Sequence, residues 1–239
     1  MCNEAARRIA LGIIREDWSQ LKIPLLFPES LPNLQAVDSF RITDTTLIFR
    51  AAQAPEHQHA AEAVMRRWSW PGPSGKPVYN YRSDAREFRN GATQGRCLIA
   101  ADAFYEFTDP ISSPLPLAGG AGGGNDQAAR ASSEAGSAPP PTPPASGRGA
   151  RKRKNKWSFA KTGEDWFCIA GLWRAHADVG EAFTMLTTEP GPDVAPYHSR
   201  QIVILERADW GRWLDGSAPA AELCRPLPAG ALTVSPVAN

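Results

Sequence analysis

The chain has 239 residues, 42% of them hydrophobic and 21% charged, so it carries enough apolar material for a folded core. Its 26 basic and 25 acidic side chains nearly cancel. Overall charge therefore gives no general case for nucleic-acid binding, and any basic surface must come from local clustering. The apolar run at 9–14 is too short to span a membrane, and no signal-peptide pattern precedes it. We expect a cytoplasmic protein with no membrane partner.

The four cysteines lie far apart and form no C-x-x-C pair: Cys2, Cys97, Cys168 and Cys224. This spacing argues against a zinc ribbon and against a disulfide framework, and it predicts reduced thiols. We expect neither a metal nor a cofactor.

The periodicity predicts short strands and a few helices along the chain. The predicted helices cover 4–17, 83–91 with Ser83 as the cap, and 206–216, which ends at a glycine. The predicted strands cover 45–52, 63–70, 96–107, 165–175, 182–188 and 200–206. This pattern indicates an α+β fold with a mostly antiparallel β core and peripheral helices.

One segment breaks the pattern, from Ile111 to about Lys156. It is rich in Gly, Ala, Ser and Pro and ends in the basic stretch "RGARKRKNK". Such a composition cannot bury enough apolar surface to offset its chain entropy, so we predict a disordered insertion between two strands of a single domain, 1–239. The basic end is either a solvated tail or a contact for an anionic partner, and the composition leaves both open.

Cys2 directly follows the initiator methionine. A cysteine there is commonly inert or frayed with the terminus. Removal of Met1 would, however, leave an α-amine and a thiol on one residue, and such a 1,2-aminothiol condenses with an aldehyde to a five-membered thiazolidine. The ordinary pKa values of the two groups, about 7.7–8.0 and about 8.5, allow either to act as a nucleophile.

Three other stretches carry candidate residues. In "VYNYRSD", Asn80 suits orienting a substrate and Arg82 suits a phosphate, although a cap beside a solvated arginine would look the same. Glu106 lies between two aromatic residues at the end of an apolar strand, where desolvation would raise its pKa, unless strand alternation turns it outward. His198 precedes another strand and suits a general acid or base, or a structural histidine.

Aromatic and basic residues alternate in "RRWSWPGPSGK". Trp68 and Trp70 beside Arg67 are what an unpaired DNA strand needs for stacking and phosphate contacts. Tryptophan in a strand is also ordinary core, and we expect at least one of the two to be buried.

In chain order, Cys2, "NYRS", "RCLIAADAFYEF", "IAGLW" and "TT…H-x-R" resemble the motifs of the SOS response-associated peptidase (SRAP) family. The resemblance covers about 1–108 and 157–237. It implies a DNA-repair protein that crosslinks covalently to abasic sites in single-stranded DNA and has a secondary abasic-site lyase activity. We expect a monomer that associates with the nucleoid when bound to DNA. The resemblance also implies catalytic roles for Cys2, Asn80, Glu106 and His198. DNA contacts are implied for a further set: Arg67, Trp68, Trp70, Arg82, Ser83 and Arg200.

This chain departs from the family pattern at several positions. Asn3 and Glu4 replace the usual Gly-Arg, so an acid stands where a basic side chain often contacts the DNA backbone. Asp84 replaces Glu, Ala103 replaces Gly, and "HSRQI" lacks the usual Met-Pro. Two other readings stay open: an N-terminal-nucleophile hydrolase using the Cys2 thiol, and a non-enzymatic single-stranded DNA binder.

Overall fold

The structure is a computed structural model, and it describes residues 2–110 and 153–238. Most of the predicted insertion, with the greater part of its basic end, lies outside the described residues. Strand β11 begins at Asn155, so regular structure resumes slightly before the predicted end of the insertion. The strands on either side of the insertion, β10 and β11, pair with each other in antiparallel fashion.

The described residues form sixteen strands, three α-helices and two short 3₁₀ turns. The strands are β1 Glu4–Arg7, β2 Leu25–Leu26, β3 Val37–Arg41, β4 Thr45–Ala51, β5 Ala61–Trp68, β6 Trp70–Pro71, β7 Pro77–Val78, β8 Asn80–Arg82, β9 Gln94–Ala101, β10 Ala103–Thr108, β11 Asn155–Lys161, β12 Phe167–His176, β13 Gly180–Thr188, β14 Gln201–Ile202, β15 Ile204–Leu205 and β16 Leu232–Val237. The helices are α1 Leu11–Gln20, α2 Trp210–Asp215 and α3 Ala220–Leu223, and the 3₁₀ turns are Pro55–His57 and Arg207–Asp209. The predicted α+β class is confirmed.

The described residues form two large sheets and a two-stranded sheet of β6 and β7. The smaller of the two large sheets has the order β16-β11-β10-β1-β3 and the larger the order β14-β13-β12-β9-β4-β5-β2. Within the larger sheet β5 also pairs in parallel with β13, through Ala182–Arg67 and Phe183–Trp68, so five strands close into a ring. Closure removes the free edges that β5 and β13 would otherwise expose.

Side-chain alternation divides the core between the two faces of the larger sheet. Leu47 and Phe49 of β4 point to one face, where they pack with Trp18 of α1 and Trp213 of α2. The other face carries Ile48 and its neighbours, which pack with residues from the smaller sheet. A continuous apolar cluster therefore joins the two sheets, and the end of β1 contributes to it.

The predicted helix over 4–17 is wrong in its first part. Residues Glu4–Arg7 form β1, which lies between β10 and β3, and helix α1 begins only at Leu11. The sequence "EAAR" has good local helix propensity, but all four residues are buried in the sheet. Tertiary pairing overrides a weak local preference here.

The predicted helix over 83–91 is absent. Ser83 extends the β8 edge instead of capping a helix, since its amide and its hydroxyl both donate to the Thr187 carbonyl, at 2.9 and 3.0 Å. Ala85 has a positive φ of 52°, which is incompatible with a right-handed helix.

The predicted strand over 96–107 divides at Asp102 into β9 and β10. The helix predicted near 206–216 is present as α2, which Gly216 ends with a φ of 76°.

Candidate active site around Cys2

Cys2 is held inside the fold and is not frayed. Its side chain belongs to the apolar cluster between the sheets, the residue is only 2% exposed, and its thiol donates to the Glu4 carbonyl at 3.3 Å. The antiparallel register of β1 and β10 pairs Ala5 with Phe104. Continued toward the chain terminus, that register brings Cys2 alongside the end of β10, where Glu106 lies.

Asn80 reaches Cys2 from a different strand. Its side-chain amide donates to the Cys2 carbonyl at 2.7 Å, across 78 positions of the sequence. The strand that carries it, β8, pairs in parallel with β13 through Asn80 and Met185. The other amide atom, Oδ1, is buried and accepts no hydrogen bond from any residue the structure describes. An acceptor is thus available beside the reactive end of the chain.

Glu106 points into the site and not outward. It is 3% exposed, and burial raises the pKa of its carboxyl from 4.5 to about 7. The pKa of the Cys2 thiol is also raised, to about 12. Burial is the main cause, and the negative charge of Glu106 adds to it. At neutral pH the thiol is therefore protonated, and the carboxyl is divided between its two protonation states, as a group that both accepts and donates protons requires.

His198 lies in the loop before β14. Its Nδ1 atom is 3.0 Å from the Arg200 amide nitrogen and 2.9 Å from the Arg200 carbonyl oxygen, so the backbone of its own loop fixes the ring. Burial lowers the pKa of the imidazole. A neutral imidazole at pH 7 is suited to hydrogen bonding and to proton acceptance.

Three of the residues for which DNA contacts are expected, Arg82, Ser83 and Arg200, differ in accessibility. Arg82 is exposed. Ser83 is buried and committed to the Thr187 carbonyl, as described above. Arg200 pairs with Asp84 at 2.7 Å and donates to Thr187, and its side chain is 14% exposed. In this structure Ser83 and Arg200 thus hold the β8–β13 edge together, and Arg82 alone of the three presents its side chain to solvent.

The expectation that Trp68 stacks on DNA needs correction. Trp68 is fully buried, donates to the Tyr79 carbonyl at 2.8 Å and stacks on Phe183. It closes the ring of strands and offers no face to a base. Trp70 is 8% exposed, and Arg67 is partly exposed and donates to the Thr43 carbonyl at 3.3 Å. The expectation that at least one of these two tryptophans lies in the core is confirmed.

A cluster of polar and charged side chains around Glu4 is not predicted by the sequence. The Glu4 carboxylate accepts bonds from Lys156 and Ser39, each at 2.6 Å, and from Arg41 at 3.3 Å. These contacts lower its pKa, against the opposing effect of burial. The acid at this position is therefore neutralised by two cations. No local signal could have found the cluster, since Lys156 is 152 positions away and lies within the predicted insertion.

Space for a ligand exists beside the site. An open groove of about 750 Å³ is lined by Asn3 and Phe107, the sequence neighbours of Cys2 and Glu106, and by Arg41 and Lys156. Within the described ranges, no group of three or more His, Cys, Asp or Glu side chains is placed to hold a metal ion. No helix among the same residues is long and apolar enough to cross a bilayer.

Comparison with solved structures shows that the fold occurs in bacterial proteins. Two proteins from Bordetella bronchiseptica share the fold over the whole chain. One has 19% identity and a TM-score of 0.61, with 100% of both chains covered. The other, described as phage-related, has 17% identity and a TM-score of 0.61, with 100% of this chain and 95% of its own chain covered. A protein from Bacteroides thetaiotaomicron has 13% identity and TM-score 0.62, with 100% of this chain and 93% of its own chain covered. Comparison with curated proteins gives no significant match. Residues 147–239 match the family model "SOS response associated peptidase (SRAP)". The resemblance seen in the sequence is confirmed, and it supports a DNA-damage-related role.

Proposed function

Since residues 147–239 match the SRAP family model, we propose that the mature Cys2 of this chain forms a thiazolidine crosslink with abasic sites in single-stranded DNA. The observation that carries the proposal is the convergence on Cys2 of Asn80, through a 2.7 Å hydrogen bond, and of Glu106, through its charge. Asn80 lies in β8 and Glu106 in β10, while Cys2 lies two positions before β1. The three residues are remote in sequence, and each is buried or half-buried around the same chain end.

The chemistry requires a free Cys2 amine. Hydrolysis of the Met1–Cys2 peptide bond consumes one water and releases methionine. The amine then attacks the ring-opened deoxyribose aldehyde, and loss of one water gives an imine. Addition of the thiol to the imine carbon forms the C–S bond and transfers the thiol proton to nitrogen, which closes the five-membered ring. The crosslink thus weighs the sum of protein and DNA less one water.

Glu106 suits the proton transfers. With a pKa raised to about 7, its carboxylate can accept a proton from the attacking amine and its acid form can protonate the departing hydroxyl. The thiol, whose pKa is raised to about 12, does not ionise in advance. It reacts only as its proton is removed, and a buried carboxylate close enough to raise that pKa is placed to accept it.

Asn80 and His198 would act on the sugar. The buried Asn80 Oδ1, without a described partner, is an acceptor for the Cys2 amine or for a sugar hydroxyl. A neutral His198 would accept the proton of the anomeric hydroxyl and so favour the open-chain aldehyde. If the reaction stopped at the imine, β-elimination of the 3′ phosphate would follow, which is the proposed lyase activity.

The proposed partner is single-stranded DNA with an abasic site. Exposed Arg82 follows Asn80 by two positions and would hold a phosphate beside the lesion. Glu4 does not oppose this binding, since Lys156 and Arg41 neutralise its carboxylate. The basic end of the insertion remains a candidate contact for an anionic partner, and we expect the protein to act as a monomer.

The crosslink is tested with an oligonucleotide that contains uracil and is treated with a glycosylase to create one abasic site. The wild-type protein should give a heat-stable shifted band on a denaturing gel, with the mass of protein plus DNA less one water. Cys2→Ala should give none, while Cys224→Ala, which removes another buried thiol, should react like the wild type. An equal band from Cys2→Ala, or no band from the wild type, refutes the proposal.

Removal of Met1 by the protein itself is the proposed peptidase activity. It is favoured by the position of Glu106, whose charge acts on Cys2 next to the scissile bond. Protein made while the cellular methionine aminopeptidase is inhibited should still lose Met1 in the wild type and retain it in Glu106→Ala, as read by intact mass. Loss of Met1 in neither protein would assign the step to the aminopeptidase.

A further inference from the structure

A second pocket lies apart from the Cys2 groove. It encloses about 250 Å³, and four aromatic side chains form its walls: Trp70, Tyr81, Phe88 and Trp173. This volume is just below the roughly 300 Å³ at which pockets for drug-sized ligands begin. A single planar ring system fits the space better than a larger molecule does.

Two tryptophans of this pocket have unused hydrogen-bond donors. The indole N–H groups of Trp70 and Trp173 donate to no described residue, and neither nitrogen is among the fully buried atoms that lack a partner. Of the six other tryptophans, five donate to a protein acceptor: Trp68, Trp157, Trp166, Trp210 and Trp213. The pocket therefore offers two accessible donors to a ligand that carries acceptors.

The polar lining favours an anionic ligand that has a hydrogen-bonding edge. Arg89 and Arg174 are exposed and form no ion pair with any described residue, and the Arg174 guanidinium lies 5.7 Å from the Trp70 ring centroid. The one acid of the lining, Glu87, is engaged, since it lies 3.6 Å from Arg96 and accepts the Ala220 amide at 2.9 Å. Gln94 adds an exposed amide that both donates and accepts.

The pocket adjoins the reactive site through β8. Asn80, whose amide holds the Cys2 carbonyl, is followed directly by Tyr81, which lines the pocket. Side chains alternate along a strand, so the two residues point to opposite faces of β8. A DNA strand that passes Cys2 and continues around this edge would meet the pocket next.

We propose that this pocket holds one base of the DNA strand that flanks the abasic site. The inference rests on the proposed function and adds to it a specific subsite. Arg50 lies over the Trp173 ring, Arg86 over Tyr81 and Arg174 over Trp70, so the base would stack on the ring faces that these arginines leave uncovered. Its acceptors would meet the Trp70 and Trp173 indoles, and its phosphate would lie near Arg89 and Arg174. Gln94 would read the edge of the base.

The test uses single strands that contain tetrahydrofuran, a stable abasic analogue without an aldehyde, so binding is measured whether or not the crosslinking chemistry is right. 2-Aminopurine is placed at successive positions on each side of the analogue, and its fluorescence is recorded with the full-length protein. One position should change in intensity on binding, because one base enters an aromatic pocket.

Trp70→Ala should abolish that signal and weaken affinity for the strand about 5- to 150-fold, the loss expected for one stacked base. Arg174→Glu should weaken affinity about five- to tenfold, with a shallower salt dependence. Arg15→Glu, the same charge reversal on exposed Arg15 of α1, should stay within twofold. If Trp70→Ala fails to fold, judged by circular dichroism, Arg174→Glu decides the question.

Two outcomes overturn the proposal. In one, no position of the scan responds, or Arg174→Glu binds the strand within twofold of the wild type with an unchanged salt dependence. In the other, the strand scan is unaffected by both pocket variants while free dAMP binds to the wild type and not to Trp70→Ala. That second result would make the pocket a site for a free nucleotide and not for DNA.

Discussion

Replacement of Glu106 by glutamine should make the protein more stable at alkaline pH. Burial raises the pKa of this carboxyl from 4.5 to about 7. The folded state therefore binds the proton more tightly than the unfolded state, and the free energy of unfolding falls as the pH rises from about 4.5 to above 7. At 1.36 kcal/mol per pKa unit, the loss is about 3 kcal/mol. Glutamine keeps the shape of the protonated acid and does not ionise.

Urea unfolding at pH 4.5, 5.5, 6.5, 7.5 and 8.5 measures the effect. The stability of Glu106→Gln relative to wild type should increase by about 3 kcal/mol across this range, with most of the change below pH 7.5. Glu16→Gln makes the same chemical change on an exposed side chain of α1 and is the matched control. If the difference between Glu106→Gln and wild type is the same at pH 4.5 and 8.5, burial does not raise the pKa of this group and its assignment to proton transfer fails.

Two further predictions concern stability. Glu4→Gln should lower the free energy of unfolding by about 1–3 kcal/mol at pH 7, because it leaves Lys156 and Arg41 without their shared carboxylate. Since the pKa of Glu4 is lowered, this loss should be present above pH 4.5 and vanish as the pH falls below that lowered pKa. An equal loss at pH 3 would contradict the ion-pair account. Gly171→Ala should lower the free energy of unfolding by about 1–3 kcal/mol, because the new Cβ would lie 2.4 Å from Ile99 Cδ1 and 2.6 Å from the Thr184 carbonyl oxygen. Gly12→Ala, in α1 with open space around it, should raise the melting temperature slightly, and equal melting temperatures for the two alanine variants would refute the packing argument.

Most of the β core could be predicted from local pattern. The strands near 45–52, 165–175 and 182–188 alternate or run apolar over lengths that suit strands, and the structure places strands there. Residues 4–7 could not be predicted in this way. Their helix propensity is a short-range property, while their strand conformation depends on hydrogen bonds to β3 and β10, far along the chain.

The roles of individual side chains required the assembled fold. DNA contacts are expected for Ser83 and Arg200 from the family resemblance, yet both side chains bind Thr187. Trp68 has the flanking cations of a stacking residue, and closure of the ring of strands buries it. Thr187 is 104 positions from Ser83 and 13 from Arg200, and Trp68 pairs with Phe183 of β13, so these contacts depend on how the strands assemble and no local pattern could report them.

The sequence alone suggested the proposed chemistry, because a cysteine next to Met1 would carry both an amine and a thiol once Met1 is removed. It also determined the order of the motifs by which the family was inferred. The tertiary structure decided the surroundings of that cysteine. Burial between two sheets raises the pKa values of Cys2 and Glu106, and a strand from elsewhere in the chain brings Asn80 to the Cys2 carbonyl. Electrostatic shifts and long-range contacts depend on distance in space, and residue order does not specify them until the chain is folded.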